Sequence, residues 1–154
     1  MTENMSFFIY WINNIMYPVR TLETHMTSLN NATNLTGRTL IAAIFLISGI
    51  GKIAGYSGTV AYMESQGVPG ALLLPTILLE IGGALAIIAG WQTKLVALAL
   101  AGFSLLAGIL FHGNFADQMQ QILFLKNVAI AGGFLFLAAH GAGGWSLDAR
   151  RARA

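Results

Sequence analysis

The sequence contains no cysteine and very little charge. Without cysteine, disulfides, thiolate metal ligands, haem attachment through thioethers and cysteine-based redox catalysis are all excluded. Charged residues make up 9% of the 154 positions, whereas a soluble domain usually devotes about a quarter to them. So few charges cannot cover a water-facing surface, and the composition therefore predicts a protein that lies largely in a membrane.

Several site signatures are also missing. The chain has no P-loop, no dinucleotide-binding glycine pattern after a strand and no Ser-His-Asp arrangement. One carboxylate and one histidine at the same membrane depth do not make a metal site, so we predict no metal. The basic residues concentrate at the C-terminus, in Arg150, Arg151 and Arg153. Such a cluster suits an anionic lipid leaflet better than nucleic acid, and no nucleic-acid partner is predicted.

Long apolar runs fill most of what remains. Four segments, at 39–56, 71–91, 94–112 and 122–140, carry almost no charge. Each is long enough for a helix of about 20 residues to cross roughly 30 Å of hydrocarbon. The stretch 95–111 is apolar on every face, unlike the one-sided helices of soluble bundles. The sequence predicts an all-α fold, an integral membrane bundle of four transmembrane helices in contact with the lipid bilayer.

The charges outside these spans are distributed unequally between the two sides of the membrane. The loops at 57–70 and 113–121 contain only two charges, both acidic. The opposite side carries the basic residues Arg20, Arg38, Lys94, Arg150, Arg151 and Arg153. By the positive-inside rule, both termini of this multi-pass protein are predicted to be cytoplasmic, in a bacterial inner membrane.

The first 37 residues differ in composition from the spans. Bulky residues such as Phe7 and Trp11 alternate with asparagines, which predicts an amphipathic, interfacial segment, or alternatively a partner-binding helix. Residues 27–36 are predicted to be a linker, with Asn34 or Thr36 capping the first span. The predicted organisation is an N-terminal segment and linker at 1–37, a membrane domain at 38–148 and a basic tail at 149–154. Residues 141–144 are interpreted as a flexible exit.

Small residues recur at intervals of four within the spans, which predicts closely packed helices or contact with another subunit. The stripes are Gly51 and Gly55; Gly82, Ala86 and Gly90; Ser104 and Gly108; and Ala129 and Gly133.

Four titratable residues fall one per span, in the half of the bundle away from the cytoplasm: Lys52, Glu80, His112 and Lys126. Glu80 is the deepest, and a charge at that depth needs a partner. We predict an ion pair between Glu80 and either Lys52 or Lys126, with Asn127 as a further polar group. Glu80 and His112 are the candidate catalytic residues. The alternatives are that the lysines extend to the headgroups and that His112 is an ordinary interfacial histidine.

Four stretches together resemble the DoxX family of small bacterial membrane proteins. They are 45–52 (FLISGIGK), 80–85 (EIGGAL), 126–127 (KN) and 141–148 (GAGGWSLD). The resemblance spans roughly residues 38–148. It implies a four-helix inner-membrane protein, and some relatives are linked to quinone-coupled thiosulfate oxidation or to membrane-associated oxidoreductase complexes.

Two functional hypotheses follow, and whether the chain is an enzyme stays open between them. In the first, the protein is a subunit or anchor of a quinone-linked oxidoreductase complex, with other membrane subunits or a homo-oligomer as partners. In the second, the cavity near Glu80 binds or turns over a small lipophilic molecule such as a quinone, the one cofactor considered. An oligomeric small-solute transporter is a third alternative.

Overall fold

The computed structural model describes residues 26–154 in full and residues 2–25 as helical backbone alone. The elements are α1 (Thr2–Ala54), α2 (Tyr56–Ser65), a 3-10 turn (Gly70–Leu72), α3 (Leu73–Ala89), α4 (Thr93–Phe111), α5 (Gln118–His140) and α6 (Leu147–Arg151). Within residues 26–154, four helical stretches are long and apolar enough to cross a membrane: Met26–Ala54, Gly70–Ala89, Thr93–Phe111 and Gln118–His140. The predicted all-α, four-span architecture is confirmed.

Two connecting segments differ from the sequence prediction. The predicted linker at 27–36 is wrong, because α1 runs through it without a cap at Asn34 or Thr36. Its asparagines make tertiary contacts instead, since Asn31 Oδ1 accepts a hydrogen bond of 2.8 Å from the amide of Gly144. The segment 57–70 contains helix α2 rather than only a loop. The predicted interfacial face of 1–25 lies outside the side chains that the structure describes.

The spans pack as two helix pairs. Helix α1 lies along α3 and α4 lies along α5, while α3 and α4 are joined by a tight turn and contact each other less extensively. The pairs meet near the middle of the bundle, where the Phe45 ring of α1 packs edge-on against Phe134 of α5 with centroids 5.3 Å apart. The surrounding core is rich in buried alanine, at Ala42, Ala84, Ala97, Ala101 and Ala131. Small core residues let the helix backbones approach closely, which supplies van der Waals contact in lipid.

The closest helix approaches use some of the predicted small residues and replace others. A Cβ on Gly49 would lie 2.6 Å from Ile81 Cγ1, and one on Gly133 would lie 2.6 Å from Ile41 Cδ1. Gly108 also packs tightly, with Asn127 Cβ 3.1 Å from its virtual Cβ. Gly51 and Gly82 face outward instead. Close packing within the chain is therefore confirmed for Gly108 and Gly133, whereas for Gly51 and Gly82 only the alternative, contact with another subunit, stays a prediction.

The free energy of unfolding of Gly49→Ala is expected to be about 1–3 kcal/mol lower than that of Gly51→Ala, because overpacking a tight contact costs that much. A Cβ at Gly49 meets both Ile81 and Glu80, whereas no described atom outside its own helix neighbourhood comes within 4 Å of one at Gly51. Both variants gain the same helix propensity, so the difference isolates packing. Equilibrium unfolding of the two proteins in mixed micelles measures it. Equal stabilities would contradict the close approach of α1 and α3.

Candidate functional site

The structure brings Lys52 and Glu80 together across α1 and α3. Lys52 Nζ lies 2.9 Å from Glu80 Oε1. Ser48, one turn before Lys52 on the same face of α1, completes the cluster. Lys52 Nζ donates to Ser48 Oγ at 2.6 Å, and Ser48 Oγ donates to the same Glu80 Oε1 at 3.2 Å. Two donors from one helix therefore hold the carboxylate. A charged group at this depth in a membrane needs such partners.

The two charges are not equally shielded. The Glu80 side chain is 4% exposed, and that of Lys52 is 25% exposed. Both donors converge on Oε1, and Glu80 Oε2 is buried without a hydrogen-bond partner among the described residues. An ionised carboxylate oxygen is a strong acceptor, and leaving one unpaired in an apolar surrounding is costly. Among the described residues, the hydrogen bonds of Glu80 thus all go to one of its two oxygens.

Glu80 and Lys52 line a cavity of about 500 Å³ at the end of the bundle where α1 ends, here called the Lys52 cavity. All four spans and helix α2 contribute to its walls, which are mainly aliphatic and aromatic. The polar groups in the lining are Ser48, Lys52, Thr59, Thr76, Glu80, His112 and Asn127. Such a cavity, apolar with a few polar groups on its walls, has the form of a small-molecule site.

The other predicted site residues divide between the cavity and the surface. His112 Nδ1 lies 2.8 Å from Gln120 Oε1; since that oxygen only accepts, Nδ1 is the donor of this hydrogen bond. Asn127 donates to the carbonyl of Leu123 at 3.0 Å. Lys126 is exposed and does not line the cavity, because a step of one residue turns a helix by about 100°.

Helix α2 is the part of the site that sequence reasoning missed. Its residues Thr59, Tyr62 and Met63 line the cavity. The Tyr62 ring stacks on Phe111 of α4, with centroids 5.6 Å apart. The only sequence signal was the spacing of Val60 and Met63 by three residues, which is too short a pattern to predict a helix. Through these contacts, α2 covers the end of the bundle that holds the ion pair.

At the opposite end, a buried arginine holds the segment after α5. Arg38 is 3% exposed, and its guanidinium donates to the carbonyls of Ala142, at 2.7 Å, and of Trp145. Asn31 accepts from Gly144 in the same segment. The prediction of a flexible exit at 141–144 is therefore wrong, because its free carbonyls and amides are bound by side chains of α1. Residues Asn31, Arg38 and 141–148 are called the Arg38 clamp below.

Asp148 ends the clamp by capping α4. Its carboxylate accepts from the amides of Gln92, at 2.8 Å, and Thr93, at 2.9 Å. Partial burial acts to raise the pKa of Asp148, but hydrogen bonds from Thr93 and Gln92 and the charge of Arg151 outweigh it and lower that pKa. A carboxylate at a helix N-terminus also interacts favourably with the helix dipole. Ser146 and Asp148, both common capping residues, were the sequence signal for this contact.

Comparison with known proteins agrees with the fold. The DoxX family model matches residues 33–113, which include Lys52 and Glu80. The chain is 49% identical over 123 residues to the inner membrane protein YqjF of Escherichia coli (strain K12), covering 80% of this chain and 95% of that protein. It is 36% identical to the inner membrane protein YphA of the same organism, covering 75% of this chain and 88% of that protein. No solved structure matches significantly.

These relatives and the four apolar helices indicate a multi-pass inner-membrane protein. The family match includes the helices that carry the ion pair, and the match to YqjF covers most of both proteins. The chain belongs to the DoxX family.

Proposed function

We propose that this DoxX-family protein binds a small lipophilic molecule, such as a quinone, in the Lys52 cavity. The observation that carries the proposal is the mainly apolar cavity of about 500 Å³ with the Lys52–Glu80 ion pair on its wall. That volume lies within the roughly 300–1,000 Å³ of small-molecule sites. A cavity among membrane helices is also accessible to molecules dissolved in the bilayer.

A purely structural ion pair accounts less well for the arrangement. A pair that serves only packing is stabilised most when both carboxylate oxygens are satisfied. Here Ser48 and Lys52 both donate to Oε1. Oε2 stays free among the described residues, although burying it costs about 1–3 kcal/mol or more. Packing alone therefore does not account for the position of the Glu80 carboxylate.

Filling the cavity tests the proposal. The probe is a decyl-substituted benzoquinone, titrated into purified protein in nanodiscs and followed by isothermal titration calorimetry, with empty nanodiscs as the partition reference. Ala107 of α4 lines the cavity, and Ala99 of the same helix faces outward. Ala107→Phe is expected to weaken binding about tenfold or more, the effect of a steric clash of at least about 1.4 kcal/mol.

The matched control Ala99→Phe adds the same side chain to the outer surface and should leave the affinity within about twofold. Linear, unsaturable uptake by the wild type would show partition into lipid alone and would refute the proposal. Equal weakening by both variants would place the probe on the outer surface, against the proposal.

A role as a subunit or anchor of a membrane complex is the second candidate, favoured by the outward glycines. Gly51 and Gly82 are exposed, and no described atom outside their own helix neighbourhood comes within 4 Å of a Cβ built on them. Exposed glycines on spanning helices permit close approach of another helix. Native mass spectrometry from mild detergent tests this, with a species heavier than the 16.4 kDa chain expected. A monomer at all detergent and protein concentrations would count against it.

We also propose that the Arg38 clamp faces the cytoplasm. Arg38 itself is buried, so the exposed cations Lys94, Arg150 and Arg151 support this orientation. Outside the spans, the described residues at the Lys52 end include no lysine or arginine, as the positive-inside rule predicts for the outer side. A reporter that is active only in the cytoplasm, fused after Ala154, should be active. Activity of a periplasmic reporter at that site would reverse the assignment.

A further inference from the structure

The Lys52 ammonium has one hydrogen-bond donor that the described part of the chain leaves unused. A lysine ammonium carries three N–H donors. Lys52 Nζ donates to Ser48 Oγ at 2.6 Å and to Glu80 Oε1 at 2.9 Å. Among residues 26–154, no third acceptor lies within hydrogen-bond distance of it. The third N–H therefore remains for an acceptor that is not part of this segment.

A molecule in the Lys52 cavity can reach the lysine, whereas the glutamate is shielded. Lys52 lines the cavity, and its side chain is 25% exposed, against 4% for Glu80. Much of the remaining wall is aliphatic or aromatic, as at Phe103 and Leu106, and offers no hydrogen-bond acceptor. In an apolar surrounding, a hydrogen bond from a charged donor gains more than in water. The unused N–H therefore favours a ligand that carries an acceptor.

The charge of Glu80 limits which acceptor fits. Its carboxylate already faces the Lys52 ammonium at 2.9 Å. An anionic group on Lys52 Nζ would bring a second negative charge close to this carboxylate, and a low dielectric screens their repulsion only weakly. A carbonyl oxygen accepts a hydrogen bond without that repulsion. The pair therefore favours an uncharged acceptor.

We infer that the molecule bound in the Lys52 cavity presents the carbonyl oxygen of an uncharged group to Lys52 Nζ, on an otherwise apolar body. This inference rests on the proposed function and specifies its ligand class, which is that of lipophilic ketones and quinones. Lys52 is then the residue that orients the ligand, and Glu80 holds the ammonium in place through Oε1.

Two other arrangements compete with this one. Thr76 also lines the cavity, and its hydroxyl can donate to a carbonyl. In that case a preference for carbonyl ligands would survive the removal of Lys52. Alternatively, water holds the third N–H of Lys52, and ligands with and without a carbonyl bind alike.

A pair of probes separates these outcomes. They are 4-octylacetophenone and 1-octyl-4-isopropenylbenzene, which differ only in the replacement of the carbonyl oxygen by a methylene group. Each is titrated calorimetrically into full-length protein in nanodiscs, with empty nanodiscs as the partition reference. The wild type is expected to bind the ketone about tenfold or more tightly than the alkene, as for a hydrogen bond from a charged donor. A third probe, 4-octylbenzoate, is an anion at neutral pH and should bind more weakly than the ketone.

The double variant Lys52→Met with Glu80→Met should reduce the preference for the ketone to about threefold or less. It replaces the pair by apolar side chains of similar volume and leaves no charge unpaired. Lys126→Met is the matched control, because Lys126 is exposed and outside the cavity lining; it should keep the wild-type preference. If the double variant does not fold, the wild-type ratios decide.

The outcomes separate this inference from the proposed function. A preference that survives in the double variant assigns the contact to another donor, such as Thr76, and overturns the inference. Equal saturable binding of ketone and alkene, or tighter binding of the benzoate, also overturns it, and each leaves the proposed function in place. Saturable quinone binding without ketone binding overturns the inference alone. No saturable binding of the quinone, the ketone or the alkene overturns both.

Discussion

Lys52→Met is expected to lower the free energy of unfolding by about 3–5 kcal/mol, which is the usual cost of removing one partner from a buried ion pair. The reason is the position of the remaining charge. Glu80 is buried and cannot reach water from its place in α3, so its carboxylate would keep only the Ser48 hydrogen bond. Glu80→Gln should cost less, because Lys52 is 25% exposed and its side chain can extend towards the headgroups.

The double variant isolates the pair. Lys52→Met with Glu80→Gln should recover much of the loss, giving a coupling energy between the two sites. Lys126→Met is the matched control, because Lys126 is exposed on α5, and it should change stability by about 0.5 kcal/mol or less. Equilibrium unfolding in mixed micelles at neutral pH measures the free energy of unfolding of the wild type and of the four variants. A Lys52→Met effect no larger than that of Lys126→Met would refute the ion pair as a stabilising contact.

The part of the site that could be predicted from sequence follows from the cost of charge in lipid. A carboxylate in the middle of an apolar run has to face other helices, and helical spacing then places Ser48 beside Lys52. The number of spans indicates the fold, and the depth of Glu80 indicates that it needs a charged partner on another helix. These arguments need only periodicity and hydropathy, and they were sufficient for the fold and for an ion pair between Glu80 and one of the two lysines.

What could not be predicted depends on which of two similar residues faces the core. Gly49 and Gly51 are equally small, and only the packing of α3 selects Gly49. Lys52 and Lys126 lie at comparable depths, but the helix rotation that turns Asn127 into the cavity turns Lys126 away. Faces of a helix follow from sequence, whereas the rotation of one helix against another follows from side-chain packing.

Long-range contacts were missed for a related reason. Arg38 and Ala142 are 104 residues apart in sequence, so no local pattern connects them. Arginine near a span end was interpreted as a cytoplasmic surface charge, because that is the common case. The glycines at 141–144 were interpreted as flexible for similar reasons. The two carbonyls that the Arg38 guanidinium binds are in fact those of Ala142, within this run, and of Trp145, immediately after it.

Arg38→Met is expected to release the segment 141–148 and to lower the free energy of unfolding by about 2–4 kcal/mol, since two partly buried carbonyls lose a charged donor. Release is measurable because the chain has no cysteine. Ser146 is buried in the clamp, so Ser146→Cys introduces a single, shielded thiol of similar size. In this background, Arg38→Met should accelerate maleimide labelling about tenfold or more, as for a local opening favoured by at least about 1.4 kcal/mol.

The control distinguishes loss of the clamp from loss of a positive charge at this end of the bundle. Lys94→Met removes an exposed cation close to the turn that Asp148 caps, and it should leave labelling of the Ser146→Cys thiol within about twofold. Arg38→Lys should be intermediate, because an ammonium cannot match the planar fork that reaches the carbonyls of Ala142 and Trp145 together. If Arg38→Met and Lys94→Met labelled at the same rate, the segment would be held by its own turn and by Asp148, and the guanidinium would not be what fixes it.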